Sequence, residues 1–343
     1  MSEDKIKILI TMPFNEDAIH LFKDVSPRLE INHRPARNYT DIIADVWADT
    51  EVLYTGSVFP PAESTPKLKW LQSHSAGVDS VLQQPIVREN KDLLVTTTSG
   101  IHATKMAELT VGLFLSFGHR LPQIMQAQRR KHWWGDHDDY YQMPLELRGS
   151  TVGIVGYGAI GREVARLVKA FGANVLASKR DVMTEADTDN FMLENTGDPE
   201  GMMFDRLYPP QALASMVKEC DFVAITVPLT NATHGLYSEK VIKAMKKGSF
   251  LVNIGRGGVL DEDALLEALE AGKIGGAALD VFTTEPLPED HPLWDAPNMI
   301  VTPHLAGVSV NYFARAALVF EENLRRYVAG ERLLNLVNRE SGY

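Results

Sequence analysis

Three segments of the chain each hold one side chain suited to carbonyl chemistry: Arg256 in "NIGRGGVLDEDAL", Glu285 in "ALDVFTTEPLP" and His304 in "VTPHLAG". Singly, each has a dull reading: a surface arginine, a loop glutamate, a core histidine. Together they supply what the reduction of a carbonyl needs. A permanent cation grips a carboxylate and polarises the carbonyl beside it. An imidazole, titrating near neutrality, donates or accepts the proton. A carboxylate next to that imidazole favours its charged form and fixes its tautomer. A hydride donor completes the set, and residues 151–181, "TVGIVGYGAIGREVARLVKAFGANVLASKRD", have the form of a site for one.

Within that segment Gly156, Gly158 and Gly161 make G-x-G-x-x-G after a strand-like run, with Ala159 and Ile160 opening a helix-like one. The first glycine permits the tight turn, the second lets a pyrophosphate approach the backbone, and the third lets helix and strand pack closely. The helix N-terminus offers unpaired N–H groups and a partial positive charge to phosphates. An NAD site adds an Asp or Glu about 20 residues further on, which accepts from the ribose 2′-OH. Here the next strand ends in Ser178, Lys179 and Arg180. A carboxylate would repel a 2′-phosphate, whereas a guanidinium holds it through paired charge-assisted hydrogen bonds. NADP(H) is therefore the expected cofactor. NAD(H) stays open, because Asp181 lies one or two positions from the same place and because Lys179 and Arg180 could simply be solvated.

These residues need elements to position them. Short β-branched runs alternate with amphipathic helical stretches along the chain, the pattern of parallel sheets covered by helices on both faces. The predicted fold is α/β, with two doubly wound parallel-sheet domains. Five strands are expected early, "IKILIT", "LEINHR", "EVLYTG", "LKWLQS" and "LLVTTT", with a helix over "NEDAIHLFKDV" that Asn15 can cap. Six more follow: "TVGIVG", "NVLASK", "FVAITV", "SFLVNIG", "GGAALDVF" and "MIVTPH". The first domain is placed at 1–100 plus 306–343 and the second at 101–305. A long helix, "ATKMAELTVGLFLSFGHRL", is apolar nearly all round and is expected to be buried between domains or subunits. A polar, aromatic arm follows it, and residues 308–329 form a final helix. Residues 183–210 are an acidic interruption longer than an ordinary connection.

Composition sets the frame. The 343 residues are 45% hydrophobic and 23% charged, as in soluble two-domain proteins. A net charge of −11 argues against nucleic acid or an anionic membrane as a partner. The single cysteine, Cys220, in apolar "ECDFVAITV", makes no internal disulfide and reads as a small buried residue. "MSEDKIKILIT" runs straight from charge into a strand, without a signal peptide or membrane span, so the cytoplasm is expected. No metal site is expected.

The segments "GIVGYGAIG", "VPLTNATHGL", "LVNIGRGGVLDEDAL", "GAALDVFTTEPLP" and "VTPHLAG", in this order and spacing, resemble the D-2-hydroxyacid dehydrogenase family over essentially the whole chain. The resemblance implies a flavodoxin-like substrate domain and a Rossmann cofactor domain that close on the substrate. It implies that Arg256 binds a 2-oxo acid, that His304 is the acid/base, and that Glu285 orients His304 and raises its basicity. It implies that "SHSAGVD" presents backbone N–H groups of Ser75, Ala76 and Gly77 to the substrate carboxylate. Val227, Pro228, Thr233, Ile254 and Asp280 match positions lining the nicotinamide half of the cofactor, with Gly255, Arg256, His304 and Ala306 beside them. A homodimer is implied, packed through the arm near 118–148. Trp133 and Trp134 on that arm either reach a neighbouring active site or pack the dimer, and Lys105 either approaches substrate or cofactor phosphates or is solvated.

Single residues weigh the relatives. Formate dehydrogenases pair the histidine with Gln rather than a residue like Glu285, and phosphite dehydrogenase has Lys where Ala76 stands. Phosphoglycerate dehydrogenases often add a regulatory domain. Basic cofactor residues resemble those of glyoxylate/hydroxypyruvate reductases, so NADPH-dependent reduction of a small 2-oxo acid is the leading expectation. The alternatives are a dehydrogenase for phosphoglycerate or phosphite, or an NAD(H)-sensing binding module similar to the C-terminal-binding-protein corepressors.

Overall fold

A computed structural model describes residues 5–78, 80–133 and 144–340. The chain divides into two compact units, Met1–Ile101 with Thr188–Leu193 and Ser309–Tyr343, and His102–Asp187 with Glu194–Val308.

The first unit carries a five-stranded sheet in the order β2-β1-β3-β4-β5, with β1 Ile6–Ile10, β2 Leu29–His33, β3 Val52–Thr55, β4 Trp70–Ser73 and β5 Leu94–Thr96. Every pairing is parallel. This is the flavodoxin-like order, in which loops beyond the carboxyl ends of the strands are where ligands bind. β3 and β4 are buried along their full lengths, as parallel strands covered on both faces must be. One cover is the helix Glu16–Asp24, whose N-cap Asn15 accepts the Ala18 N–H at 3.0 Å. Another is the helix Tyr312–Ala329, where Phe320 meets Phe22 and Tyr54 edge-on at centroid distances of 5.0 and 4.7 Å. This helix begins four residues later than the expected 308, because the Ser309 hydroxyl accepts the Asn311 N–H and holds the chain in a turn.

The second unit holds a seven-stranded parallel sheet in the order β12-β11-β10-β9-β6-β7-β8. Its strands are β6 Thr151–Val155, β7 Asn174–Ser178, β8 Arg206–Tyr208, β9 Phe222–Ile225, β10 Phe250–Asn253, β11 Gly276–Leu279 and β12 Met299–Val301. Six of these were expected from the sequence, and β8 was not. It is a three-residue edge strand inside the 183–210 interruption, too short to show alternation.

The long apolar helix, Ala103–Gly118, sets Ala107, Val111, Phe114 and Phe117 into the core of this unit against Val164, Phe222 and Phe250. Glu108 and Gly112 on its other side stay exposed, so it is not buried all round. The interruption is divided too. Residues 188–193 belong to the first unit, where the Phe191 N–H donates to Asn335 Oδ1 at 2.9 Å and the Asn335 N–H to the Asp189 carbonyl at 3.0 Å. Polar bonds of this kind leave no hydrophobic period to read.

Candidate active site

The order of the second sheet reverses at β6, between β9 and β7, the switch point at which an open α/β sheet leaves a crevice. The glycine turn sits there. Gly156 has φ +104°, and a Cβ on it would lie 2.7 Å from Val227 Cγ1. A Cβ on Gly161 would lie 2.1 Å from the Gly156 carbonyl oxygen. At Gly158 a Cβ would meet nothing within 4 Å, so this glycine faces open space. The helix Ala159–Ala170 starts directly after it with no side-chain cap, leaving its first N–H groups for a ligand. Two glycines tight against protein and one against open space fit a pyrophosphate.

This helix is bolted to the 183–205 segment by charges that carry no sequence motif. Arg162 and Glu163 are fully buried. The Arg162 guanidinium donates to the Asp198 and Glu185 carbonyls, lies 4.8 Å from the Tyr157 ring centroid and pairs with Asp187 at 3.8 Å. The Glu163 carboxylate accepts from Arg166 and from the Gly197 N–H. Asp198 in turn accepts from the Tyr157 hydroxyl at 2.6 Å and from the Met202 and Met203 N–H groups. A buried charge persists only when it is paired and hydrogen-bonded in this way.

At the end of β7, Ser178 is buried, Lys179 half-buried and Arg180 exposed. The Lys179 ammonium donates to the Thr184 carbonyl, and burial followed by the Arg162 charge holds it below the ordinary lysine range. Asp181 closes its own turn, its carboxylate accepting from Thr184 and from the Met183 N–H at 2.9 Å, which keeps it below the ordinary carboxylate range.

Arg256, Glu285 and His304 follow β10, β11 and β12, so all three leave the carboxyl ends of neighbouring parallel strands. Glu285 Oε2 lies 2.7 Å from His304 Nδ1, and Glu285 Oε1 accepts the Phe282 N–H at 2.9 Å. Both carboxylate oxygens are thus fixed, and His304 Nε2 is the ring nitrogen left for proton exchange. Partial burial pushes the Glu285 carboxyl up. The hydrogen bonds from His304 and Phe282 and the charges of His304 and Arg256 outweigh it and hold the group below the ordinary range.

Residues 111–306 match the family model of the D-isomer specific 2-hydroxyacid dehydrogenase NAD-binding domain. The chain belongs to this family. It is 33% identical over 278 residues to a glyoxylate reductase of Thermofilum pendens, covering 81% of this chain and 77% of that one. It is 32% identical over 335 residues to a D-3-phosphoglycerate dehydrogenase of Methanocaldococcus jannaschii, covering 97% of this chain but only 59% of that relative's length. A crystal structure of a D-isomer specific 2-hydroxyacid dehydrogenase from Xanthobacter autotrophicus Py2, in complex with NADPH and MES, superimposes with a TM-score of 0.78 at 27% identity, over 99% of this chain and 100% of that one.

Two residues shape the loops of Arg256 and His304 from behind. Asp280, expected beside the nicotinamide, is 2% exposed, and its carboxylate accepts from Thr302 Oγ1 at 2.6 Å and from the Leu305 and Ala306 N–H groups at 2.9 Å each. It thereby fixes the turn in which His304 takes φ +53°. Asn253, which sequence reasoning passed over, accepts the Gly255 N–H at 3.0 Å and donates to the Arg256 carbonyl at 3.1 Å. Its signal was a polar residue ending an apolar strand. Gly255 is required by closeness, since a Cβ there would lie 2.7 Å from the Val227 carbonyl oxygen. Ile254 and Ala306 are buried, and the Thr233 hydroxyl closes the 228–233 loop by donating to the Pro228 carbonyl at 2.6 Å.

In the first unit, the Ser75 N–H donates to Ser73 Oγ at 3.1 Å and the Gly77 N–H to Ser75 Oγ at 3.2 Å, so two of the three expected loop amides are already engaged. Lys105 is half-buried in the first turn of its helix and makes no ion pair with the described residues. Trp133 is 91% exposed, and Trp134 lies outside the described residues. Cys220 is buried as expected, its thiol pushed up to about 12 by burial. Among the described residues no group of His, Cys, Asp and Glu could hold a metal ion, and no helix is long and apolar enough to cross a membrane.

Proposed function

We propose that this chain reduces a small 2-oxo acid of the glyoxylate or hydroxypyruvate kind to the D-2-hydroxy acid, and catalyses the reverse, with NADPH preferred over NADH. The observation that carries the reading is the His304–Glu285 pair at 2.7 Å, presented from the same sheet edge as the glycine turn. NADPH, when bound, supplies the hydride. Gly156, Gly158 and Gly161 with the helix N-terminus would hold the pyrophosphate, and Ser178, Lys179 and Arg180 the adenosine end. Arg256 grips the substrate carboxylate and draws charge toward the carbonyl oxygen. His304, protonated and held through Nδ1 by Glu285, donates its Nε2 proton to that oxygen, and takes it back when the hydroxy acid is oxidised.

The first unit is the substrate domain in this reading and the second the cofactor domain. A homodimer is supported by Leu121, Ile124 and Met125, large apolar side chains left exposed on the helix Leu121–Arg129. The test is steady-state kinetics over a panel of short, branched, aromatic and phosphorylated 2-oxo acids with both cofactors. Highest kcat/KM for glyoxylate or hydroxypyruvate with NADPH is expected. A preference for phosphohydroxypyruvate, or cofactor binding without turnover of any acid, overturns it.

A further inference from the structure

Between Gly156 and Gly158 stands Tyr157, whose side chain is buried while Gly158 faces open space. The Tyr157 hydroxyl donates to Asp198 Oδ2 at 2.6 Å, and its ring meets that of Phe204 edge-on at a centroid distance of 5.3 Å. Asp198 is buried too and comes from the 183–205 segment. Its carboxylate also accepts the Met202 and Met203 N–H groups, at 2.8 and 2.9 Å, so three donors hold it in place. The backbone here grips the cofactor helix. The Asp198 carbonyl accepts from the Arg162 guanidinium, and the Gly197 N–H donates to Glu163 Oε2 at 2.6 Å. Two adjacent residues thus bind the glycine turn and the start of the helix Ala159–Ala170 together.

A glycine has many backbone conformations open to it and no side chain to choose among them. In this turn the choice falls to Tyr157. Its ring supplies burial, and its hydroxyl supplies direction, because a charge-assisted bond to a fixed carboxylate depends on angle. Backbone N–H groups at a helix N-terminus bind a pyrophosphate tightly only when they converge on it without further ordering. The Asp198 clasp provides that ordering within the protein itself. The pyrophosphate is common to NADPH and NADH, so a clasp acting on the turn serves both.

We infer that Asp198 is a positioning residue for the cofactor: through the Tyr157 hydroxyl it locks the glycine turn against the start of the helix, and so raises the affinity for NADPH and NADH alike. The inference rests on the reading of the glycine turn as the pyrophosphate site. It gives the 183–205 interruption a part in cofactor affinity that is separate from the choice between cofactors. The coupling runs both ways, since a ligand that the clasp stabilises must stabilise the clasp by the same factor. The Met202 and Met203 N–H groups, which share the Asp198 carboxylate, therefore report on occupancy of the turn.

Tyr157→Phe keeps the ring and removes the hydroxyl, and Asp198→Asn keeps the shape and removes the charge. Full-length protein is titrated with NADPH and with NADH by fluorescence, at a temperature where circular dichroism shows each variant folded. Each substitution should raise both Kd values about five-fold, the size of one hydrogen bond, and keep their ratio within about two-fold of the parent. The double variant should be weaker than the weaker single by less than about two-fold, because one bond is lost either way. A merely structural contact predicts otherwise: Tm falls while both Kd values hold. Unchanged Kd values in Tyr157→Phe, a change confined to one cofactor, or single effects that multiply in the double variant overturn the inference. Hydrogen exchange gives a second readout. NADPH should slow exchange of the Met202 and Met203 amides in the parent and not in Tyr157→Phe, and equal slowing in both overturns the inference. Gly158→Ala separates the two readings. Weakened NADPH binding there, with Tyr157→Phe unaffected, refutes the clasp alone; unweakened binding there refutes the pyrophosphate reading and the clasp with it.

Discussion

Glu285→Gln isolates what charge contributes at the His304 pair. The substituted amide keeps a carbonyl oxygen that can accept from His304 Nδ1, at 2.7 Å in the parent, so orientation survives while the negative charge is lost. Two unit charges about 4 Å apart interact by about 1 kcal/mol in bulk water and by about 4 kcal/mol at an effective dielectric of 20. The His304 and Glu285 side chains are 51% and 35% exposed, so solvent screens the pair and about 2 kcal/mol is the working figure. The attraction exists only while the imidazole is protonated, the state that would donate to the carbonyl oxygen in the proposed reaction. Its loss should lower kcat/KM for reduction by about thirty-fold. The assay is stopped-flow and steady-state oxidation of NADPH, with the Kd of NADPH measured in parallel. If proton transfer becomes more limiting, kcat falls while that Kd holds. Undiminished kcat/KM, or a Kd that weakens in step with kcat/KM, refutes the role given to Glu285.

His304→Gln removes the proposed proton donor and should cost at least about 100-fold in kcat with NADPH affinity unchanged in equilibrium titration. Gly158→Ala places a methyl group in open space, so it should weaken NADPH binding while leaving Tm unchanged, whereas Gly161→Ala must displace the Gly156 carbonyl and should lower Tm itself. Arg180→Ala should raise the KM of NADPH much more than that of NADH; equal effects on both would dismiss the 2′-phosphate reading. The acid limb of stability offers a further check. Glu285 is held below its ordinary range when folded, so its contribution is present above the unfolded value and lost as pH falls through the folded one. Chemical denaturation across pH 3–6 should therefore show the parent losing more stability than Glu285→Gln, and parallel curves would contradict the shift.

Much of the architecture was legible because parallel strands buried on both faces leave apolar runs that need no partner to be recognised. β3, β9 and β10 are of this kind. β8 was not legible, since its residues gain their strand conformation only by lying on the edge of β7. Glu285 and His304 were visible as residue types after strands, and topology brings them together. What sets their geometry was hidden. Asp280 and Asn253 act on backbone N–H and carbonyl groups two to twenty-six residues away, and backbone groups leave no mark in a sequence.

The same blindness applies to Lys179. As a sequence letter it is a cation beside Arg180, and both argue for a 2′-phosphate. In the fold its ammonium is engaged by the Thr184 carbonyl, and its backbone N–H donates to the Tyr208 carbonyl at 3.0 Å. Replacing it would loosen the 179–184 turn and, through Glu185, the segment that Arg162 ties to the cofactor helix. A Lys179 variant therefore mixes charge with loop order and weakens both cofactors. Arg180 is exposed at the turn, so selectivity between NADPH and NADH is read from its substitution. Arg180→Ala with intact NADH kinetics is the measurement that separates phosphate recognition from the upkeep of the loop.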